Sequence, residues 1–186
     1  MGRRILFLGP PGAGKGTQAK LLATALGVPH VSTGQMLRDA VAGGTELGSR
    51  AESIMAVGDL VPNELVIALV SERLSRPDAA CGYLLDGFPR NVLQAEELFA
   101  ALGGEAIETV LLLDVPESEL VDRLLKRAAA EGRADDNEAT IRRRLEVYRE
   151  ETEPLVSYYG GSVAKVYGVG AIDEVFGRTA LALASS

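Results

Sequence analysis

The stretch GPPGAGKGT at residues 9–17 decides the fold, because it directly follows an apolar run and opens a helical pattern. Residues 9–15 match G-x-x-x-x-G-K, a loop whose glycines let backbone N–H groups converge on a phosphate. The positive end of the following helix points to the same place, and Lys15 adds a charge for the β- and γ-phosphate oxygens. Because spacing and context agree, the motif favours a nucleotide-phosphate site over a chance glycine turn. Its members are Gly12, Ala13, Gly14, Lys15, Gly16 and Thr17.

Short apolar runs and helical patterns alternate along the rest of the chain. Runs typical of strands cover 4–8, 83–86, 109–113 and 163–167; helical periodicity covers 15–26, 63–74, 94–102, 117–130, 137–148 and 172–183. Apolar strands that alternate with helices are typical of a parallel sheet covered on both faces, with ligands beyond the carboxyl ends of the strands. We therefore predict an α/β protein with the three-layer phosphate-loop NTPase fold and a central parallel sheet.

Two segments do not follow this alternation. Residues 32–61 have the character of an extra helical insert, and residues 128–136 (AAAEGRADD) are small, charged and glycine-containing, as expected of a mobile loop. Neither a repeat nor a long low-complexity linker interrupts the chain, so we expect residues 1–186 to form one domain.

Composition and charge exclude several classes of protein. No apolar run approaches the roughly 20 residues that span a bilayer, and the apolar run after the first residues is too short for a signal peptide. The net charge of -7 argues against a nucleic-acid partner. The single cysteine, Cys81, rules out an internal disulfide and a multi-cysteine zinc site. These observations predict a cytoplasmic protein with no membrane and no nucleic-acid partner.

A second signal for phosphate chemistry is the run YLLD at residues 83–86, which predicts a buried strand that ends in a carboxylate. Phosphate-loop enzymes hold Mg²⁺ with such a carboxylate. The run LLLD at 111–114 has the same form, but a proline and a helix follow it, so we interpret Asp114 as local structure near a helix start. Asp86 is instead followed by GFPR and is the candidate metal-binding residue.

Four motifs in order carry a resemblance to a known family: GPPGAGKGT at 9–17, STG at 32–34, DGFPR at 86–90 and RADD at 133–136. Together they resemble the adenylate kinases over residues 4 to 176, and Gly16-Thr17 after the lysine is that family's own variant of the loop. The resemblance implies reversible, Mg²⁺-dependent phosphoryl transfer from ATP to AMP, giving two ADP. It also implies an NMP-binding insert at 32–61, a short lid at about 127–137 without structural zinc, and a monomer.

The resemblance also implies roles for individual residues. Residues that would bind AMP are Thr33, Arg38, Asp59, Leu60, Val61, Gly87, Phe88, Pro89, Arg90, Gln94, Arg133 and Arg144. Arg127 and Gly170 would join the phosphate loop in binding ATP, Gly170 through its backbone at the adenine. The catalytic set would be Lys15, Arg90, Arg123, Arg127, Arg133 and Arg144, with Asp86 holding the metal through water.

Helical geometry adds to this assignment at residues 142–144, which are three consecutive arginines. The apolar residues at 141, 145 and 148 form one stripe, and Arg144 lies nearest to it at about 100° per residue. Arg144 is therefore the member expected to point inward. Asp135 and Asp136 precede this helix and could either cap it or act in lid closure. His30, in an apolar context, is interpreted as a structural residue and not as a base.

Three alternative functions differ from this interpretation at particular positions. A UMP/CMP kinase would share the loop, the short lid and the arginines, and only Thr33 and Gln94 favour adenine, by comparison with that relative. A phosphate-loop ATPase switch or motor usually has Ser or Thr directly after the lysine, where Gly16 stands. A nucleotide-binding regulator without catalysis would not need the full set of arginines.

Overall fold

The structure is a computed structural model that describes residues 3–103, 107–131 and 137–185, without the side chains of residues 130 and 131. The predicted site residue Arg133 and the candidate capping residues Asp135 and Asp136 lie outside the described residues.

Five parallel strands form the central sheet, in the order β2-β3-β1-β4-β5. They are β1 (Arg4–Leu8), β2 (His30–Ser32), β3 (Tyr83–Asp86), β4 (Thr109–Asp114) and β5 (Val163–Tyr167). All four residues of β3 and the first five of β4 are buried, because both faces of the sheet are covered. The register pairs Phe7 and Ser32 with Asp86, so the carboxyl ends of β1, β2 and β3 meet at one edge.

Nine α-helices pack around the sheet in the part of the chain that the structure describes. They are α1 (Lys15–Leu26), α2 (Thr33–Ala42), α3 (Glu46–Val57), α4 (Asn63–Leu74), α5 (Val92–Ala101), α6 (Glu117–Glu131), α7 (Glu138–Val147), α8 (Pro154–Tyr159) and α9 (Ile172–Ala184). A π-helical turn, Tyr148–Thr152, joins α7 to α8. Side-chain caps begin α3, α5 and α7, where Thr45, Asn91 and Asn137 each accept a backbone N–H three residues ahead.

The core has two parts, one on each face of the sheet. Neighbouring residues of a strand point to opposite faces, so Leu6 and Leu8 join one cluster and Ile5 and Phe7 join the other. The first cluster includes residues of α2 to α5 and α8; the second includes residues of α1, α6, α7 and α9. This arrangement confirms the predicted three-layer α/β fold with a parallel sheet.

Two elements differ from the sequence prediction. The strand β2 was not predicted, since it has three residues and only Val31 in it is fully buried. The helix predicted over 137–148 gives way to the π-helical turn at Tyr148, and α8 follows it. Residues 32–61 contain α2 and α3, which pack on each other.

Among the described residues, none of the helices combines the length and the apolar character needed to cross a membrane.

Candidate active site

The phosphate loop joins β1 to α1 and depends on glycine backbone conformations. Gly9, Gly12 and Gly14 have φ angles of 140°, 85° and 93°, which residues other than glycine rarely adopt. A Cβ on Gly12 would also lie 2.9 Å from the carbonyl oxygen of Leu120 on α6. The Lys15 ammonium donates to the carbonyls of Gly9 (2.7 Å) and Pro10 (3.0 Å), so the lysine lies across its own loop.

Positive charge converges on Lys15. Burial, together with the charges of Arg90, Arg144 and Arg127, lowers the pKa of Lys15 to about 8, although the Asp86 carboxylate acts in the opposite direction. An ammonium responds to neighbouring charges in this way only when they lie close to it. Four of the six predicted catalytic residues therefore lie around one point next to the phosphate loop.

Asp86 ends β3 beside this group and is 8% exposed. One of its oxygens, Oδ2, lies 3.3 Å from His30 Nε2 and 3.3 Å from the Ser32 hydroxyl, which donates to it. Burial opposes ionisation of this carboxyl, but the His30 contact and the charge of Lys15 outweigh it, so the pKa of Asp86 lies below its usual value. His30 thus holds a carboxylate, in line with its interpretation as a structural residue.

The oxygen ligands available near the phosphate loop decide whether a magnesium ion could bind there. Among the described residues, no three His, Cys, Asp or Glu side chains cluster closely enough to hold a metal by themselves. Mg²⁺ keeps several waters and is usually bound by one or two carboxylates together with substrate phosphates. A single buried, ionised carboxylate beside a phosphate loop fits an ion that arrives with its nucleotide.

A pocket lies next to Lys15, between α2, the end of α3, the start of α5 and α7. Nine of the twelve predicted AMP-binding residues line it, namely Thr33, Arg38, Asp59, Leu60, Val61, Gly87, Arg90, Gln94 and Arg144. Phe88 is fully buried and packs in the core, so its side chain does not contribute to the lining. Sequence reasoning missed five further lining residues, Gly34, Leu37, Met55, Gly58 and Val66.

The carbonyl of Gly87 organises one wall of this pocket. It accepts hydrogen bonds from the Thr33 hydroxyl and from Arg90 Nε, both at 2.8 Å. Gly87 has a φ of 77°, and a Cβ there would lie 3.2 Å from the Thr33 oxygen, so this wall requires glycine. Thr33 and the Arg90 guanidinium are thereby fixed to the same backbone group at the pocket wall.

Helix α7 closes the pocket against the end of α3. The Thr140 hydroxyl donates to the Ala56 carbonyl at 3.1 Å, and Arg143 Nε donates to Asp59 at 2.7 Å. Of the three consecutive arginines, Arg144 lines the pocket, whereas Arg142 pairs with Glu138 at the exposed surface. The inward direction derived from the apolar stripe agrees with this placement of Arg144.

Two further predicted residues lie at or near the loop after β5, namely Arg123 on α6 and Gly170 in the loop itself. Arg123 donates to the Gly168 carbonyl at 3.1 Å and forms an ion pair with Glu119 at 2.9 Å. A Cβ on Gly168 would lie 3.6 Å from the Ala13 carbonyl, so this loop adjoins the phosphate loop. Gly170 follows with a φ of 129°. Arg123 is thus close to the phosphate loop but is bound to other partners than the Lys15 group.

Comparisons with known proteins identify relatives along nearly the whole chain. The sequence profile of the family described as adenylate kinase matches residues 7–163. A protein named adenylate kinase from Thermobifida fusca is 53% identical over 186 residues, which covers 98% of each chain. One from Thermus thermophilus is 53% identical over 187 residues, again 98% of each chain. One from Mycobacteroides abscessus is 51% identical over 182 residues, or 97% of this chain and 98% of the relative.

Proposed function

The chain belongs to the adenylate kinase family, and from this premise we propose that it transfers the γ-phosphoryl group of ATP reversibly to AMP, giving two ADP. The observation that carries the proposal is the position of Arg90 and Arg144. Both line the pocket between α2, α3, α5 and α7, and both lie close enough to Lys15 on the phosphate loop to lower the pKa of Lys15. Two anionic substrates bound in these sites would therefore meet at one cluster of cations.

The ATP phosphates would be held by the backbone N–H groups of residues 12–17 and by Lys15, with Arg127 close to them. The AMP phosphate would lie against Arg38, Arg90 and Arg144, which line the pocket between α2, α3, α5 and α7. Its second pKa is about 6, so near pH 7 the attacking oxygen is mostly deprotonated and needs no general base. That oxygen would bond to the γ-phosphorus as the bond to the β–γ bridging oxygen breaks, leaving the charge on the departing ADP.

The protein's contribution would be positioning and charge neutralisation. Asp86 would hold, through water, the Mg²⁺ that arrives with ATP, and the ion would help to neutralise charge on the ATP phosphates. Arg123 and the backbone of Gly170 would serve the ATP side, where the loop after β5 adjoins the phosphate loop. Arg133, outside the described residues, stays a predicted contact of the transferring group.

The insert, 32–61, and the lid, about 127–137, would exclude water, which would otherwise accept the phosphoryl group. The end of the insert already touches α7, through Thr140 and Ala56 and through Arg143 and Asp59. We further propose a cytoplasmic monomer without a membrane partner. We also propose that it has no nucleic-acid partner, in line with its net charge of -7.

The test is a coupled assay of ADP production with ATP and Mg²⁺ and with AMP, UMP, CMP or GMP as separate acceptors. We expect AMP to be the preferred acceptor, and Lys15→Ala to lower turnover by orders of magnitude while circular dichroism shows an intact fold. Preference for UMP or CMP would establish the pyrimidine alternative. Steady ATP hydrolysis without an acceptor would instead indicate an ATPase, and binding without turnover a regulator.

A further inference from the structure

Gln94, which lines the AMP pocket, is held at both atoms of its side-chain amide. Its Oε1 accepts from the backbone N–H of Arg90 at 2.7 Å, and its Nε2 donates to Asn63 Oδ1 at 2.8 Å. We infer that Asn63 is a positioning residue, which together with the Arg90 backbone N–H holds the Gln94 amide in one orientation and so makes the pocket prefer adenine to 6-oxopurine bases. This inference rests on the proposed function.

The orientation of the Gln94 amide follows from the donors around it. The Arg90 backbone N–H can only donate, so the amide atom that faces it must be the oxygen. The amide nitrogen then faces Asn63, which must present an acceptor. Arg90 is itself held in place, because its carbonyl accepts from the Thr152 hydroxyl at 2.7 Å.

A second chain of hydrogen bonds ends at the same oxygen of Asn63. The backbone N–H of Gln94 donates to Asn91 Oδ1 at 2.9 Å, which is the N-terminal cap of α5. The amide nitrogen of Asn91 is thereby turned towards Asn63 and donates to its Oδ1 at 3.3 Å. Two backbone donors, at Arg90 and Gln94, thus independently require an acceptor at position 63.

A local structural role does not account for Asn63. It is the first residue of α4, but Pro62 occupies the capping position and no side-chain cap is present there. Asn63 contacts the amide of Gln94, and Gln94 is 1% exposed, so the contact fixes a buried side chain. The contact joins α4 to α5 across 31 residues of sequence.

The order of donor and acceptor on a fixed amide decides which purine it can pair with. Adenine presents a donor at N6 and an acceptor at N1, whereas hypoxanthine and guanine present an acceptor at O6 and a donor at N1. An amide that can turn over would serve either order. An amide that is held in one orientation pairs with adenine and rejects hypoxanthine and guanine, because with these bases donor would face donor and acceptor would face acceptor. The mismatched groups would be left buried and unpaired.

The experiment compares Asn63→Leu with Asn63→Asp, using AMP and IMP as acceptors. The leucine removes the acceptor at similar volume, whereas the aspartate keeps it. For Asn63→Leu we expect the KM for AMP to rise about tenfold, the size expected for one buried hydrogen bond, and the AMP-to-IMP ratio of kcat/KM to fall by about the same factor. The KM for ATP should stay within about twofold of the wild-type value, since Asn63 lies on the AMP side. Asn63→Asp should keep the wild-type values of the KM for AMP and of the AMP-to-IMP ratio of kcat/KM.

Thermal unfolding of each variant separates positioning from misfolding, and Asn63→Ala is the second variant if the leucine does not fold. The inference is overturned if a folded Asn63→Leu or Asn63→Ala keeps the wild-type AMP-to-IMP ratio. It is equally overturned if Asn63→Asp loses the discrimination, since the acceptor would then not be what matters. Failure of the wild type to produce ADP from ATP and AMP would contradict the proposed function itself and is read in the same assay.

Discussion

Replacing Lys15 with methionine is expected to stabilise the folded protein at pH 7 while it removes phosphoryl transfer. Burial, together with the charges of Arg90, Arg144 and Arg127, lowers the pKa of Lys15 from 10.5 to about 8. Each pH unit of such a shift corresponds to about 1.36 kcal/mol, so the charged ammonium costs the folded state about 3 kcal/mol. Methionine has a similar length without the charge.

Part of this gain is offset by lost hydrogen bonds. The ammonium donates to the carbonyls of Gly9 and Pro10, and each such bond contributes about 1 kcal/mol net. We therefore expect Lys15→Met to increase the free energy of unfolding by about 1–2 kcal/mol at pH 7. For a domain of this size, that corresponds to a rise of several degrees in Tm.

The pH dependence distinguishes this cause from a general packing effect. Between pH 8 and 10.5 the folded wild type binds fewer protons at Lys15 than the unfolded chain does. Its stability relative to Lys15→Met must therefore rise with pH in that window, by up to about 1.4 kcal/mol per unit, and must be flat below pH 8. At pH 10.5 and above, the full rise of about 3 kcal/mol exceeds the deficit of about 1–2 kcal/mol, so the wild type should then be the more stable protein.

The assay is urea unfolding of both proteins at about pH 7, 8, 9 and 10, with the difference in free energy taken at each pH so that other titrating groups cancel. Lys20→Met, on an exposed position of the same helix, is the matched control and should change stability by no more than about 0.5 kcal/mol at any pH. A difference between wild type and Lys15→Met that does not change from about pH 8 to about pH 10 would refute the reasoning.

Three further predictions concern backbone positions and the contact between the insert and α7. Gly12→Ala should lower ATP affinity and should lower stability by about 1–3 kcal/mol, because φ at Gly12 is 85° and the new Cβ would meet the Leu120 carbonyl. Calorimetric titration with ATP measures the affinity, and urea unfolding measures the stability. Gly177→Ala, in an open helical position, is the control and should stabilise the protein instead. Gly48→Ala would press a Cβ against the backbone at Ala40, where α3 crosses α2. It should raise the KM for AMP while ATP binding at the phosphate loop persists, which steady-state kinetics and ATP titration would separate. Arg143→Ala removes an exposed ion pair with Asp59, so it should leave stability nearly unchanged and raise the KM for AMP only at low ionic strength. Arg142→Ala, whose partner lies on its own helix, should not change the KM for AMP.

The sheet could be predicted from the sequence where a strand is buried on both faces. In β1, β3 and β4 the continuous apolar run is itself the signal, and the turn residues that follow fix its end. Strand β2 carried no such signal, since it has three residues and lies at the sheet edge. That strand nevertheless matters for the site, because pairing of Ser32 with Asp86 places the Ser32 hydroxyl and His30 beside the carboxylate.

Some residues of the site could likewise be predicted from the local sequence, whereas others depend on contacts with residues far away in the chain. The phosphate loop could be predicted from its spacing and context, and helical periodicity indicated the inward direction of Arg144, whose role the family resemblance had implied. The other pocket residues came from family resemblance, and nothing local distinguishes, for example, Thr33 from any other threonine. Asn63 and Thr152 were missed because their partners lie 31 and 62 residues away, and a polar side chain on a helix has no sequence feature that reports a contact across such a distance.

The cluster around Lys15 connects stability to substrate binding in one physical argument. Burial is the main cause of the low pKa of Lys15, and the charges of Arg90, Arg144 and Arg127 act in the same direction, while the Asp86 carboxylate acts against them. Phosphate groups that bind at this point would bring further negative charge, which favours the charged ammonium. The cost that Lys15→Met would relieve by deleting a charge is thus one that ATP and AMP would reduce by supplying opposite charges. It follows that the gain in Tm from Lys15→Met should shrink, and then reverse, as nucleotide is added to both proteins, because only the wild type binds the phosphates strongly.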